Sequence, residues 1–272
     1  MSDDIRLVLT DVDGTLVTNA KQLTEETIAA AAALRRAGID LAITSGRPPR
    51  GMASVSRALA LSTPLAGFNG GVMTSPDLAS IIAFHEFPEG DIAPTLALLE
   101  EHGLDIWVYT RKRWMVRDRS APHVAREAST VGFEAETVSD FAKLDLGHVI
   151  KIVGVSDDAD AMAKAEQAAQ SKLGDGVSAT CSQPYYLDIT NARANKGAVV
   201  DFLAQRLGIS RQHIVTIGDS GNDCTMFARS GRSIAMGNAN DRVRAAATYV
   251  TASNEQEGWA KAMHQYVLGG KS

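Results

Sequence analysis

The chain has 272 residues, 45% hydrophobic and 22% charged, with a formal net charge of -5, which suits a globular protein of one large or two modest domains. This mild acidity leaves no electrostatic footprint for nucleic acid or an anionic membrane surface, and no apolar run approaches the about 20 residues that span a bilayer. The acidic opening Met1-Ser2-Asp3-Asp4 is unlike a secretory signal, and Cys181 and Cys224 lack CxxC spacing, so a cytoplasmic protein with reduced, space-filling thiols is expected.

The apolar run Ile5-Arg6-Leu7-Val8-Leu9-Thr10 reads as a buried strand that delivers Asp11-Val12-Asp13-Gly14-Thr15 onto a tight turn. Two carboxylates one residue apart at a strand end repel unless a cation or a proton intervenes. A metal site with one carboxylate free as a nucleophile resolves that repulsion. Asp-x-Asp-Gly also opens calcium loops, and a solvated turn tolerates such acids, so the motif alone leaves these readings open. Thr24 is placed to cap a helix that runs to Ala37, with Glu25 and Glu26 favourable to its dipole and Gly38 able to end it. Residues 39–44 read as a second core strand, halted at Ser45-Gly46-Arg47-Pro48-Pro49. A helix near 52–60, a strand at 65–68 and the loop Asn69-Gly70-Gly71 follow.

From about Ile81 strands adjoin strands: 81–87, 104–109, 114–117, 149–155, 177–182 and 185–190, with helices at 92–102 and 157–172. This texture predicts an antiparallel sheet covered on one face, a separate domain inserted over 84–188. Its most conspicuous charge run, Arg111-Lys112-Arg113-Trp114, reads as a solvated hairpin. Regular alternation then returns: a helix at 195–207 closed by Gly208, a strand at 213–217, a helix at 223–229, and further elements through 256–268. The expected architecture is α/β, a Rossmann-like parallel-sheet core over 1–83 and 189–272 interrupted by an inserted α+β domain.

Three predicted strands end in residues suited to phosphate chemistry: Asp11 and Asp13, then Ser45 and the Gly46 amide, then Gly218-Asp219-Ser220-Gly221-Asn222-Asp223. In open α/β sheets ligands bind beyond the carboxyl ends of strands, where such groups converge. Lys196, within Asn195-Lys196-Gly197, opens a helix and can stand beside that site. Taken singly, Ser45 also reads as a turn residue, Lys196 as a solvated charge, and Gly218–Asn222 as an ordinary strand–helix turn. Those bland readings do not account for acids at Asp219 and Asp223 beside a strand expected to neighbour Asp11. Arg47 is placed either to contact substrate or to pin the loop around Ser45.

These motifs, in this order, resemble the haloacid dehalogenase superfamily of phosphatases, specifically its Cof-like group with a large α/β cap between the second and third motifs. Asp11-Val12-Asp13-Gly14-Thr15 is similar to the first motif, Thr44-Ser45-Gly46-Arg47 to the second, Lys196 to the third and Gly218–Asp223 to the fourth. The resemblance implies an Mg²⁺-dependent phosphomonoesterase acting on a small phosphorylated metabolite, with sugar phosphates foremost. It assigns Asp11 as nucleophile and Asp13 as general acid and base. Ser45, Gly46, Lys196 and Asn222 would hold the phosphoryl group. Asp11, Asp13 through its main-chain carbonyl, and Asp219 would hold the metal, with Asp223 supporting that shell. A phosphatase for a phosphorylated cofactor precursor and a phosphomutase are the alternatives within the superfamily. A receiver-type signalling module shares a phosphorylated Asp but requires neither Asp13 nor an inserted domain. A monomer or homodimer is expected.

Overall fold

The computed structural model describes residues 5–141 and 146–269, so the reading of residues 1–4 lies outside it. In chain order the elements begin with β1 (Leu7–Asp11), α1 (Glu25–Arg36), β2 (Asp40–Thr44), α2 (Ala53–Ala58), β3 (Leu65–Gly67), β4 (Val72–Thr74) and β5 (Ile81–Phe84). The middle stretch comprises α3 (Glu89–Glu101), β6 (Asp105–Thr110), β7 (Trp114–Val116), α4 (Val124–Val131), β8 (Glu136–Thr137), β9 (Val149–Val155), α5 (Ala159–Lys172), β10 (Val177–Gln183) and β11 (Tyr186–Asn191). The last third holds α6 (Lys196–Leu207), β12 (Ile214–Gly218), α7 (Cys224–Phe227), β13 (Arg232–Ala235), α8 (Asp241–Ala246), β14 (Tyr249–Val250) and α9 (Gly258–Ala262). No helix among the described residues is long and apolar enough to cross a membrane.

Two compact units result, Met1–Ala83 with Asn195–Ser272, and Phe84–Ala194. The second unit's exit therefore moves from the expected residue 188 to Ala194. The reason is that β11 is one strand paired antiparallel along its length with both β9 and β10, so a boundary inside it would split a ladder.

In the first unit the described strands form one sheet in the order β14-β13-β12-β1-β2-β3-β4-β5. The run from β14 to β3 is parallel, and β4 turns back antiparallel. The chain winds outward from β1 through β2 to β3 and, after the insertion, from β12 to β14 on the other side. The topological switch point thus lies between β1 and β12, where ligand crevices form in such sheets. Both faces of the sheet are buried, which is why β1 reads as an unbroken apolar run. Val8, Ile43, Val215 and Ile217 pack on one face with Ala30, Leu34 and Trp259. Leu7, Leu9, Ala42 and Ile214 pack on the other with Val199, Leu203 and Phe227. Thr24 caps α1, its hydroxyl accepting from Thr27 N at 3.1 Å, and Asn195 caps α6 by accepting from Ala198 N at 2.9 Å.

In the second unit the sheet order is β10-β11-β9-β6-β7-β8. It is antiparallel as expected except at β7–β8, which pair parallel. Ile106, Val108, Ile152, Leu187 and Ile189 on one face pack with Leu99 of α3 and Met162 and Ala165 of α5. The opposite face carries Trp107 and Trp114, edge to face at 5.3 Å, and Tyr109, stacked on Trp114 at 5.6 Å. The charge run at 111–114 is only partly the solvated hairpin expected. Trp114 is buried, Arg113 pairs with Glu136, and Arg111 pairs with Glu86 while covering the Phe84 ring at 4.4 Å.

Candidate active site

β1 ends at Asp11 and its neighbour β12 at Gly218, with Thr10 in register with Ile217, so the acids that follow each strand emerge side by side. Lys196, the first residue of α6, is almost completely buried, yet its ammonium donates to Asp11 Oδ1 and to Asp223 Oδ1, each at 2.6 Å. Such a charge survives burial only because anions stand on two sides of it. Burial opposes its protonation, but Asp11 and Asp223 outweigh that and hold the ammonium's pKa above the ordinary lysine value.

Asp223 is fully saturated. Its Oδ2 accepts from the Asp219 and Ser220 amides, each at 2.9 Å, while Oδ1 takes Lys196. The loop can fold this tightly only with glycine at 218, since a Cβ there would stand 2.3 Å from the Asp223 carboxyl carbon. Asp219 receives Thr15 Oγ1 at 2.9 Å on Oδ1 and Asn238 Nδ2 at 3.4 Å on Oδ2. Gly14 meets a similar constraint, with φ of +77° and a would-be Cβ 2.4 Å from Asp219 Oδ2.

Asp11, Asp219 and Asp223 place carboxylate oxygens within 4.8 Å of one another. Burial, then Asp223, pushes Asp219's pKa up to about 6. Burial also raises that of Asp11 well above the carboxylate range, with Lys196 opposing and the neighbouring acids adding to it. Three acids against one ammonium leave an excess of negative charge lined by hard oxygen donors, a donor set that fits Mg²⁺. Asp11 Oδ2 accepts no hydrogen bond among the described residues, whereas both Asp223 oxygens are engaged. Asp223 thus fixes Lys196, while Asp11 Oδ2 is left unengaged by the described residues.

The Asp13 carboxylate does not join this cluster. Arg47 grips it with Nε to Oδ2 and Nη2 to Oδ1, each 2.6 Å, and Lys21 adds a third contact at 2.7 Å. Burial tends to raise its pKa, but the Arg47 hydrogen bonds and charge, with Lys21, bring it below the ordinary carboxylate value. Arg47 also reaches Gly51 O at 3.3 Å, which pins the loop after β2.

Ser45 is buried after β2, its Oγ accepting from Arg47 N at 3.1 Å and its carbonyl from Asn69 N at 2.8 Å. Asn69, left-handed at φ of 56°, receives Asn222 Nδ2 on its Oδ1 at 3.3 Å and lies beside Gly46. The structure thus brings Ser45, Gly46 and Asn222 to one rim, with Asn69 between them. Sequence reasoning did not single out Asn69, Lys21, Thr15 or Asn238 as site residues. For Asn69 the signal available was an Asn-Gly-Gly turn directly after a core strand.

A family model described as haloacid dehalogenase-like hydrolase matches residues 8–263. The pyridoxal phosphate phosphatase YbhA of Escherichia coli is 28% identical over 272 residues, covering 97% of this chain and 99% of that protein. The 5-amino-6-(5-phospho-D-ribitylamino)uracil phosphatase YcsE of Bacillus subtilis is 26% identical over 266 residues, covering 97% of each. Among solved structures, a haloacid dehalogenase-like hydrolase from Bacteroides thetaiotaomicron superposes with a TM-score of 0.86 at 25% identity, covering 96% of this chain and 99% of that one. With that match spanning nearly its whole length, the chain belongs to the haloacid dehalogenase-like hydrolase family.

Proposed function

We propose that the protein is an Mg²⁺-dependent phosphomonoesterase that hydrolyses a small phosphorylated metabolite through a phosphoryl group carried on Asp11. The observation that carries this reading is the buried Lys196 ammonium clasped by Asp11 and Asp223 beside Asp219. A lysine so placed opposes the burial that raises the Asp11 pKa and holds Oδ1, while Oδ2 accepts no hydrogen bond among the described residues. That carboxylate attacks phosphorus, and the bond from phosphorus to the leaving oxygen breaks in line. Asp13 delivers a proton to the leaving oxygen, then takes one from the water that attacks phosphorus and frees Asp11.

The paired, ionised Asp13 of the structure is in the form needed for that second step. For the first step it must take up a proton, which requires substrate to loosen its contacts with Arg47 and Lys21. Ser45 Oγ, the Gly46 amide, Lys196 and Asn222 would donate to the phosphoryl oxygens as charge shifts toward the transition state. Mg²⁺, held by Asp11, Asp219 and the Asp13 carbonyl, would neutralise phosphoryl charge.

Sugar phosphates remain the foremost substrates. Relatives named for pyridoxal phosphate and for a phosphoribityl-aminouracil support a phosphorylated cofactor or its precursor as the second class. The test is phosphate release from a panel of both classes with Mg²⁺, ranked by kcat/KM, by wild type and Asp11→Asn. Turnover that needs Mg²⁺ and vanishes in Asp11→Asn is expected. Full turnover by Asp11→Asn would overturn the nucleophile, and isomerisation of a bisphosphorylated sugar without phosphate release would make the enzyme a mutase.

A further inference from the structure

The turn after β13 carries Asn238, an exposed residue whose side-chain amide nonetheless makes its hydrogen bonds into the protein. Its Nδ2 donates to Gly14 O at 2.9 Å and to Asp219 Oδ2 at 3.4 Å, while its Oδ1 accepts from Asn254 N at 3.1 Å. That backbone amide is a donor only, so it fixes the orientation of the carboxamide. A flipped amide would set NH₂ against N–H and oxygen against both the Gly14 carbonyl and the Asp219 carboxylate. Asn254, which is buried, spends its own Nδ2 on Val17 O at 3.1 Å and Asn19 Oδ1 at 3.2 Å. The anchor is stiff, because Gly237 N also bonds Ala252 O at 3.0 Å and Met236 N bonds Gly218 O at 2.9 Å. One side chain therefore ties together the loop that follows Asp11, the carboxylate at the end of β12 and the segment after β14.

We propose that Asn238 is a positioning residue for the cation site, holding Asp219 and the Gly14 turn at the mutual distance a divalent ion needs. The inference rests on the reading that Asp219 helps bind that ion. Water could satisfy an exposed asparagine equally well, so these bonds contribute little to global stability. Their consequence falls on the geometry of the ligand they touch, and groups that orient metal ligands typically change affinity about 10–100-fold when removed.

The test titrates metal-free protein with MgCl₂ by calorimetry and measures Tm in EDTA, for wild type, Asn238→Ala and Asn240→Ala. Asn240 caps α8 by accepting from Val243 N at 3.0 Å and serves as the purely structural comparison. Asn238→Ala is expected to raise the Mg²⁺ Kd about 10-fold or more with a smaller loss of Tm than Asn240→Ala, which keeps the wild-type Kd. A wild-type Kd in Asn238→Ala overturns the proposal. Wild-type protein that binds no Mg²⁺ overturns the parent reading instead. Should Asn238→Ala fail to fold, an Mg²⁺-soaked wild-type crystal decides: an Asn238 amide turned away from the Asp219 carboxylate overturns the proposal, and contact with it supports the role.

Discussion

Replacing Lys196 by methionine tests the electrostatic core of the site, because the side chain keeps its length and loses only its charge. In the wild type that ammonium contacts two carboxylates at 2.6 Å, with side-chain exposures of 1% for Lys196, 6% for Asp11 and 0% for Asp223. Removing one member of so buried a set leaves uncompensated charge, a loss of about 3–5 kcal/mol. For a unit of this size that lowers Tm by roughly 10 °C. The sign with pH follows from Asp11, whose folded pKa already stands above its unfolded value of 3.8. A raised carboxyl favours the folded state at low pH and loses that advantage as pH climbs through the folded pKa. Without Lys196 nothing opposes the upward shift, so the penalty in Lys196→Met should be largest near neutrality and shrink in acid. Adding Asp223→Asn should recover part of it, since one of the stranded anions is then gone. Scanning calorimetry in EDTA, at about pH 5 and about pH 7.5, reads both effects. Equal stability of Lys196→Met and wild type near neutrality would refute the reasoning. Turnover should fall about 10²–10³-fold even in the folded fraction, as for loss of a single transition-state donor.

Asp13→Asn should lower kcat with Mg²⁺ affinity little changed, because that carboxylate faces Arg47 and Lys21 rather than the acid cluster; an unaltered pH–rate profile would contradict its proton-transfer role. EDTA should abolish phosphate release and Mg²⁺ restore it, whereas hydrolysis persisting in chelator would contradict the metal requirement. Metal-free protein should become less stable as pH rises toward the Asp219 pKa of about 6, by about 1.4 kcal/mol per pH unit above the unfolded value, and Mg²⁺ should cancel the slope. A flat urea-denaturation profile over that interval would remove the basis for a strained acid cluster.

The core was legible because its strands are buried on both faces, so β1, β2 and β12 stand out as apolar runs whose ends are punctuated by Asp, Ser and Gly. Thr24, Asn195 and Gly208 marked helix ends for the same local reason, a polar or left-handed residue at a cap. The second unit yielded less. Helix α4 is eight residues long and is entered through His123 in a left-handed conformation, and β8 is two exposed residues, so neither carries a usable period. Trp114 lies buried just after two arginines that turn to Glu86 and Glu136, a burial hidden in the sequence by the density of charge before it. At the site, residues next to strand ends could be named in advance. The grip of Arg47 on Asp13, 34 positions away, and of Asn238 on Gly14, 224 away, could not, because nothing local to either residue specifies a partner that only the sheet order brings near.

The most direct test of the account is to quench the enzyme during turnover, treat it with borohydride and locate the modified residue by peptide mass spectrometry. An acyl phosphate on Asp11 would be reduced to homoserine, so the account predicts that mass change in the peptide containing Leu9-Thr10-Asp11-Val12 and its absence without substrate. Reduction at another carboxylate, or none while phosphate is being released, would contradict it.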